Sequence, residues 1–210
     1  MVHVKVCGIT TLDDALGALE AGADALGFNF YRRSPRYVEP ARAREIIERL
    51  PESILSVGVF VNEPAPEDVA RMAEESGVSA AQLHGDESAE FCDSLPSLRV
   101  IKALRVGEDF DPADATRYAA EAILLDAFSA KARGGTGETF DWSVARRTRE
   151  LVPRLYLAGG LTPENVADAV EAVRPFAVDV CSGVENAPGR KDAARLRAFV
   201  AAARGADGKS

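Results

Sequence analysis

Eight times along 210 residues, a short run rich in Val, Ile, Leu and Phe is followed by a segment with helical patterning. No other feature restricts the possible folds so tightly. The runs fall near 2–7, 24–30, 54–61, 79–84, 98–104, 121–126, 154–159 and 176–181. Helical stretches are expected near 12–21, 40–50, 66–76, 87–94, 112–120, 142–151, 163–173 and 190–204. I-L-S-V-G-V-F-V and A-I-L-L-D-A lack strict alternation, as expected of strands covered by helices. An open doubly wound sheet would leave edges, and eight parallel strands would normally need more chain. A closed barrel uses every strand–helix unit equivalently, and about 200 residues is near its lower size limit. The fold class expected is therefore α/β, a single-domain (β/α)₈ TIM barrel over residues 1–204, with G-A-D-G-K-S at 205–210 as a flexible tail.

Local chemistry marks several helix starts. Thr11 with Asp14 resembles a capping box. Pro40 is placed to open the second helix. Asp111-Pro112 and Thr162-Pro163 each offer a cap followed by a first-turn proline.

Bulk properties exclude several function classes. A net charge of −8 argues against non-specific nucleic-acid binding, which needs a basic surface. No apolar run approaches the ~20 residues that span a bilayer, so no membrane partner is expected. The start M-V-H-V-K-V-C-G lacks the apolar core of a signal peptide, which makes the cytoplasm the expected location. Cys7, Cys92 and Cys181 are widely spaced, and only His3 and His84 could supply imidazole. Neither a disulfide framework nor a metal site is expected. The oligomeric state is not set by any sequence feature.

In a barrel, chemistry is carried by the C-terminal strand ends and the loops that follow them. Two of these, L-A-G-G-L-T-P-E-N at 157–165 and D-V-C-S-G-V-E at 179–185, bear glycines directly after apolar strands. On the last two strands, such a pair suits a phosphate group, so the expected ligand is a small phosphorylated molecule. Gly159, Gly160, Ser182 and Gly183 are its candidate contacts, with a short helical turn expected at 183–186. The sixth loop, A-R-G-G-T-G-E-T-F-D-W, could add N–H donors or be a plain connector.

Cys7 and Asp126 both ionise and both end apolar strands. Their bland roles are a small buried hydrophobe and a cap for the next segment. As a pair they suit proton transfer, with desolvation favouring a protonated carboxyl and a nearby helix N-terminus favouring thiolate. Arg36, between Pro35 and Tyr37 in Y-R-R-S-P-R-Y, could grip a carboxylate with its fork, although charged loops are usually solvated surface. His84 and Asp86 read as structural residues, or as residues lying behind those that touch substrate.

Together these motifs resemble the phosphoribosylanthranilate isomerases, the barrel enzymes of tryptophan biosynthesis. The resemblance spans essentially the whole chain: K-V-C-G-I-T, G-F-N-F with S-P-R-Y-V, V-G-V-F-V-N, Q-L-H-G-D-E, L-L-D-A-F, G-G-T-G-E-T-F-D-W, L-A-G-G-L-T-P-E-N and D-V-C-S-G-V-E-N-A-P-G-R-K-D. It implies an Amadori rearrangement of N-(5-phosphoribosyl)anthranilate to 1-(2-carboxyphenylamino)-1-deoxyribulose 5-phosphate, without metal or organic cofactor. By the same resemblance Cys7 is the general base, Asp126 the general acid, and Arg36 the carboxylate clamp. It also places Asp179 at a ribose-contacting position and phosphate contacts at Gly135, Gly159, Gly160, Ser182 and Gly183. Cys181 departs from the pattern, where serine is frequent. Two alternatives are another phosphosugar-binding barrel enzyme and a non-catalytic phosphosugar sensor. A first strand ending in Cys7 instead of aspartate, and the absence of a synthase's lysine–glutamate set, count against the first. The joint presence of Cys7 and Asp126 counts against the second.

Overall fold

All eight apolar runs are strands, and they close into one parallel barrel in chain order. The strands are β1 (His3–Cys7), β2 (Ala25–Asn29), β3 (Leu55–Phe60), β4 (Ala80–Leu83), β5 (Arg99–Arg105), β6 (Ala122–Asp126), β7 (Leu155–Ala158) and β8 (Ala177–Val180). The computed structural model describes residues 1–107, 109–126 and 142–207. Closure comes from β1 against β8, with Val4 opposite Val178 and Val6 opposite Val180.

Successive strand residues point to opposite faces, which divides the core into two layers. Val57, Ala80, Ile101, Ala103, Ala122, Leu124, Tyr156, Ala158 and Ala177 pack together inside the barrel. Their strand neighbours, such as Val6, Phe28, Leu83, Leu125 and Val180, belong to the larger layer between sheet and helices. Each strand is thus buried on both sides, which is why its sequence lacks alternation.

The outer layer holds α1 (Leu12–Ala21), α2 (Pro40–Ile47), α3 (Pro66–Ser76), α4 (Ala89–Asp93), α5 (Ser143–Leu151), α6 (Val166–Val173) and α7 (Ala193–Asp207). Thr11 caps α1 by accepting a hydrogen bond from the Asp14 N–H at 3.2 Å, and Pro40 opens α2. Three expectations are corrected. The segment expected as a helix at 112–120 is a 3₁₀ turn, Pro112–Arg117, with Asp111 accepting from the Ala113 N–H at 3.0 Å. Pro163 starts a turn and α6 begins only at Val166, because the Asn165 side chain takes the Thr162 N–H at 2.8 Å. Residues 190–192 are not helical: β9 (Glu185–Ala187) and β10 (Arg190–Lys191) form a small antiparallel hairpin around Pro188-Gly189. Asp192 then caps α7, accepting from the Ala194 and Arg195 N–H groups at 2.9 Å. That helix continues through residues 205–207 of the expected tail, with Ala206 buried.

Candidate active site

The two-residue strand period decides which side chains line the barrel mouth. Lys5 and Cys7 of β1 point inward, as do Gln82 and His84 at the end of β4, Asp126 of β6, and Asp179 and Cys181 at the end of β8. Cys7 lies against Gly27 of β2, where an added Cβ would stand only 2.7 Å from its sulfur, so glycine alone leaves the thiol room.

One layer below, Lys5 and Asp179 form a buried ion pair at 3.0 Å across the β1–β8 closure. Burial opposes both charges. It raises the Asp179 carboxyl to about 7, while the charges of Asp179 and Cys7 outweigh burial at Lys5 and push that ammonium upward. Asp179 Oδ1 has no hydrogen-bond partner among the described residues.

Behind Cys7 stands a second buried lysine. Lys191 Nζ donates to the Cys7 carbonyl at 2.5 Å, to the Cys181 carbonyl at 3.3 Å and to Glu185 Oε1 at 2.9 Å. The Cys7 thiol is held well below its ordinary value by a hydrogen bond with Cys181, aided against burial by Lys5, Lys191 and His84. Cys181 moves the other way, raised by its interaction with Cys7 and by burial. The balance of these interactions favours the thiolate at position 7 over the thiolate at position 181.

Asp126 ends β6 with its side chain 29% exposed. His84 Nε2 lies 3.4 Å from Asp126 Oδ2, and His84 Nδ1 lies 2.8 Å from the buried Gln82 amide nitrogen. The imidazole is thus held between a β4 side chain and the candidate acid. Asp86 has a different task. Its N–H donates to Asn62 Oδ1 at 2.6 Å, tying the loop after β4 to the loop after β3.

Arg36 reaches the rim beside Cys7, but Glu185 already engages one edge of its guanidinium. Nε lies 2.9 and 3.1 Å from the two carboxylate oxygens, and Nη2 lies 2.7 Å from Oε2. The fork expected to meet a ligand carboxylate therefore has its Nε–Nη2 edge committed, and the Nη1 side faces any further anion. Glu185 remains below its ordinary value because Arg36 and Lys191 overcome the cost of burial.

The glycine pair after β7 takes left-handed backbone, with φ of 91° at Gly159 and 66° at Gly160. A side chain at Gly183 would collide with the Leu161 carbonyl, 1.9 Å from the ideal Cβ, so the loops after β7 and β8 press together there. Ser182–Val184 forms the expected short turn, as a 3₁₀ segment. Gly135 lies outside the described residues.

The structure thus brings Cys7, Asp126, Arg36, Asp179, Gly159, Gly160, Ser182 and Gly183 to one end of the barrel. Sequence reasoning missed Glu185 and Lys191. The available signal was two opposite charges flanking a Pro-Gly turn directly after a buried strand.

Comparisons with known proteins agree with this arrangement. A family model described as N-(5'phosphoribosyl)anthranilate (PRA) isomerase matches residues 4–202. The N-(5'-phosphoribosyl)anthranilate isomerase of Geobacter sulfurreducens is 56% identical over 206 residues, covering 98% of this chain and all of that protein. The crystal structure of phosphoribosyl anthranilate isomerase from Thermotoga maritima superimposes with a TM-score of 0.90 at 48% identity, covering 98% of this chain and 100% of that one. A second structure, of the isomerase in complex with reduced 1-(o-carboxyphenylamino)-1-deoxyribulose 5-phosphate, gives 0.88 at 46% identity over 98% of this chain and 100% of its own. Matched along nearly its whole length, by sequence and by fold, this chain belongs to the N-(5'-phosphoribosyl)anthranilate isomerase family.

Proposed function

We infer that this chain catalyses the Amadori rearrangement of N-(5'-phosphoribosyl)anthranilate in tryptophan biosynthesis, using Cys7 as base and Asp126 as acid at one barrel mouth. The observation that carries the assignment of roles is the position of Cys7, with Lys191 on its carbonyl and the Lys5–Asp179 pair one layer below, on the same inner face as Asp126.

Asp126 donates a proton to the furanose ring oxygen, and the C1′–O bond breaks to give an open-chain iminium. The Cys7 thiolate removes the C2′ proton. The C–H electron pair moves into the C1′–C2′ bond as the iminium π electrons settle on nitrogen. The resulting enolamine tautomerises to the ketone. The iminium is the electron sink, so the reaction calls for neither metal nor organic cofactor. Gln82 and His84 hold the Asp126 carboxyl in place during the transfer.

Three anchors position the substrate. The Nη1 side of Arg36 meets the anthranilate carboxylate. Asp179 Oδ1, without a hydrogen-bond partner among the described residues, accepts from a ribose hydroxyl. Backbone at Gly159, Gly160 and Gly183, the Ser182 hydroxyl, and Gly135 in the sixth loop bind the phosphate. The ligand in the solved relative carries a carboxylate, a sugar-derived chain and a phosphate, one group for each anchor. Residues 1–204 act as one catalytic domain. A cytoplasmic location fits a phosphorylated small-molecule substrate, and no helix among the described residues is long and apolar enough to cross a membrane.

The decisive assay follows loss of the fluorescent substrate with purified protein. Cys7→Ala and Asp126→Asn should each lower kcat by about 10²–10⁴-fold with KM largely kept. Near-normal turnover by either variant removes that residue from the mechanism.

A further inference from the structure

The closure of the barrel brings two thiols together. β1 and β8 are hydrogen-bonded neighbours, with Val6 opposite Val180. Continuing that register by one residue sets Cys7 opposite Cys181, both on the inner face two residues beyond the Lys5–Asp179 pair. Adjacent strands lie about 4.7–4.9 Å apart, inside the roughly 4.4–6.8 Å between Cα atoms that a disulfide spans. Lys191 reinforces the approach by donating to both backbone carbonyls. Both are free thiols, and Lys191 Nζ, which donates to the Cys7 carbonyl, lies 4.0 Å from Cys181 Sγ.

The pair is also accessible. Cys181 is partly exposed at the mouth and Cys7 retains 9% exposure, so a small oxidant enters by the opening that admits substrate. Cys92 differs on each count. It is buried on α4 within the sheet–helix layer, and burial pushes its thiol up to about 11.

We propose that Cys7 and Cys181 form a reversible disulfide when the protein meets hydrogen peroxide, and that this bond switches the active site off. The loss of activity rests on Cys7 being the base; the formation of the bond does not. The Cys7 thiolate attacks one peroxide oxygen, the O–O bond breaks, and the departing hydroxide takes a proton to become water. Cys7 is left as a sulfenic acid. The Cys181 sulfur then attacks the Cys7 sulfur, the S–O bond breaks, and the hydroxyl leaves with the thiol proton as a second water. Two thiols lose two electrons in all, and one peroxide becomes two waters. A dithiol reductant reverses the bond by exchange.

The test treats the full-length protein with hydrogen peroxide, blocks remaining thiols, and maps linked peptides by mass spectrometry beside the activity assay. A Cys7–Cys181 peptide is expected, with activity lost in proportion to the linked fraction and restored by dithiothreitol. Cys92→Ala should behave identically. Cys181→Ser should form no link, and its Cys7 should proceed to sulfinic acid, giving a loss that dithiothreitol does not restore. Absence of the linked peptide in protein that peroxide has inactivated overturns the disulfide, even if Cys7→Ala is inert. A linked protein retaining full activity overturns the switch, and with it the reading of Cys7 as base.

Discussion

Lys102 and Lys191 stand on opposite sides of the barrel, and each is a buried lysine paired with a buried glutamate while gripping main-chain carbonyls at a strand end. Lys102 Nζ bonds Glu87 Oε2 at 2.7 Å and the Gly85 carbonyl at 2.8 Å. Lys191 Nζ bonds Glu185 Oε1 at 2.9 Å and the Cys7 carbonyl at 2.5 Å. The resemblance ends with what lies next to each pair. Lys102 alternates with the inward-facing Ile101 and Ala103, so its charge sits behind the sheet, near the Tyr118 ring. Lys191 reaches the top of β1, and Glu185 passes its influence on to Arg36. A buried ion pair is weak evidence for function by itself. Its neighbours decide whether it only builds or also tunes.

The largest effect should be common to both sides. Lys102→Met and Lys191→Met each take a buried cation from a buried carboxylate and should both destabilise in urea unfolding. Lys102→Met should cost about 3–5 kcal/mol and Lys191→Met less, because Glu185 keeps Arg36. Replacing both partners on the structural side, as Lys102→Met with Glu87→Leu, should recover most of that loss. If the double variant were no more stable than the single one, Glu87 would owe its role to the Asn62 and Gly85 N–H groups it accepts instead of to the lysine.

Substrate binding should separate the sides next. Arg36→Met removes a charge-assisted contact of about 1.5–3 kcal/mol, expected as a KM increase of roughly 10–100-fold with kcat less affected. Lys102→Met, assayed under conditions where it stays folded, should leave KM close to its original value. Equal KM changes in the two variants would erase the difference between the two sides.

The finest discrimination lies in pH. With Cys7 as the proposed base its thiolate is the active form, so kcat/KM should fall as pH drops through its lowered pKa, reaching its plateau well below the ordinary thiol value of 9.0. The linked stability has the same sign: it is fully present above the unfolded thiol pKa and lost as pH falls through the folded one. The Cys181 hydrogen bond is the largest cause of the shift, with Lys5 and Lys191 adding to it. Lys191→Met should therefore move the acid limb upward in kcat/KM and in the iodoacetamide reaction rate, while Lys102→Met leaves both in place.

Legibility varied with how local each feature is. Every barrel strand could be read from its apolar run, because burial on both faces leaves a compositional trace. Thr11 could be read as a cap because its partner is three residues away. The segment after Asp111 misled because a proline and an acidic cap suit a 3₁₀ turn as well as an α-helix. The hairpin at 185–191 left no periodic trace, since strands of three and two residues are too short to show one. At the site, the ionisable strand ends were visible as breaks in apolar runs. Arg36 was visible as a candidate, but its engagement by Glu185, 149 positions away, was not.

What the chain's order of residues determined by itself was the count of strands, the closure they imply, and which ionisable groups end them. These follow from hydrophobic patterning, which each segment carries within itself. Only tertiary structure decided that Cys7 stands beside Cys181 at the barrel closure, that Lys191 caps its carbonyl from 184 positions away, and that Gln82, His84 and Asp126 form one line. Hydrogen bonds and charges act over a few ångströms of space, whatever the separation along the chain, and that proximity exists only once the barrel has closed.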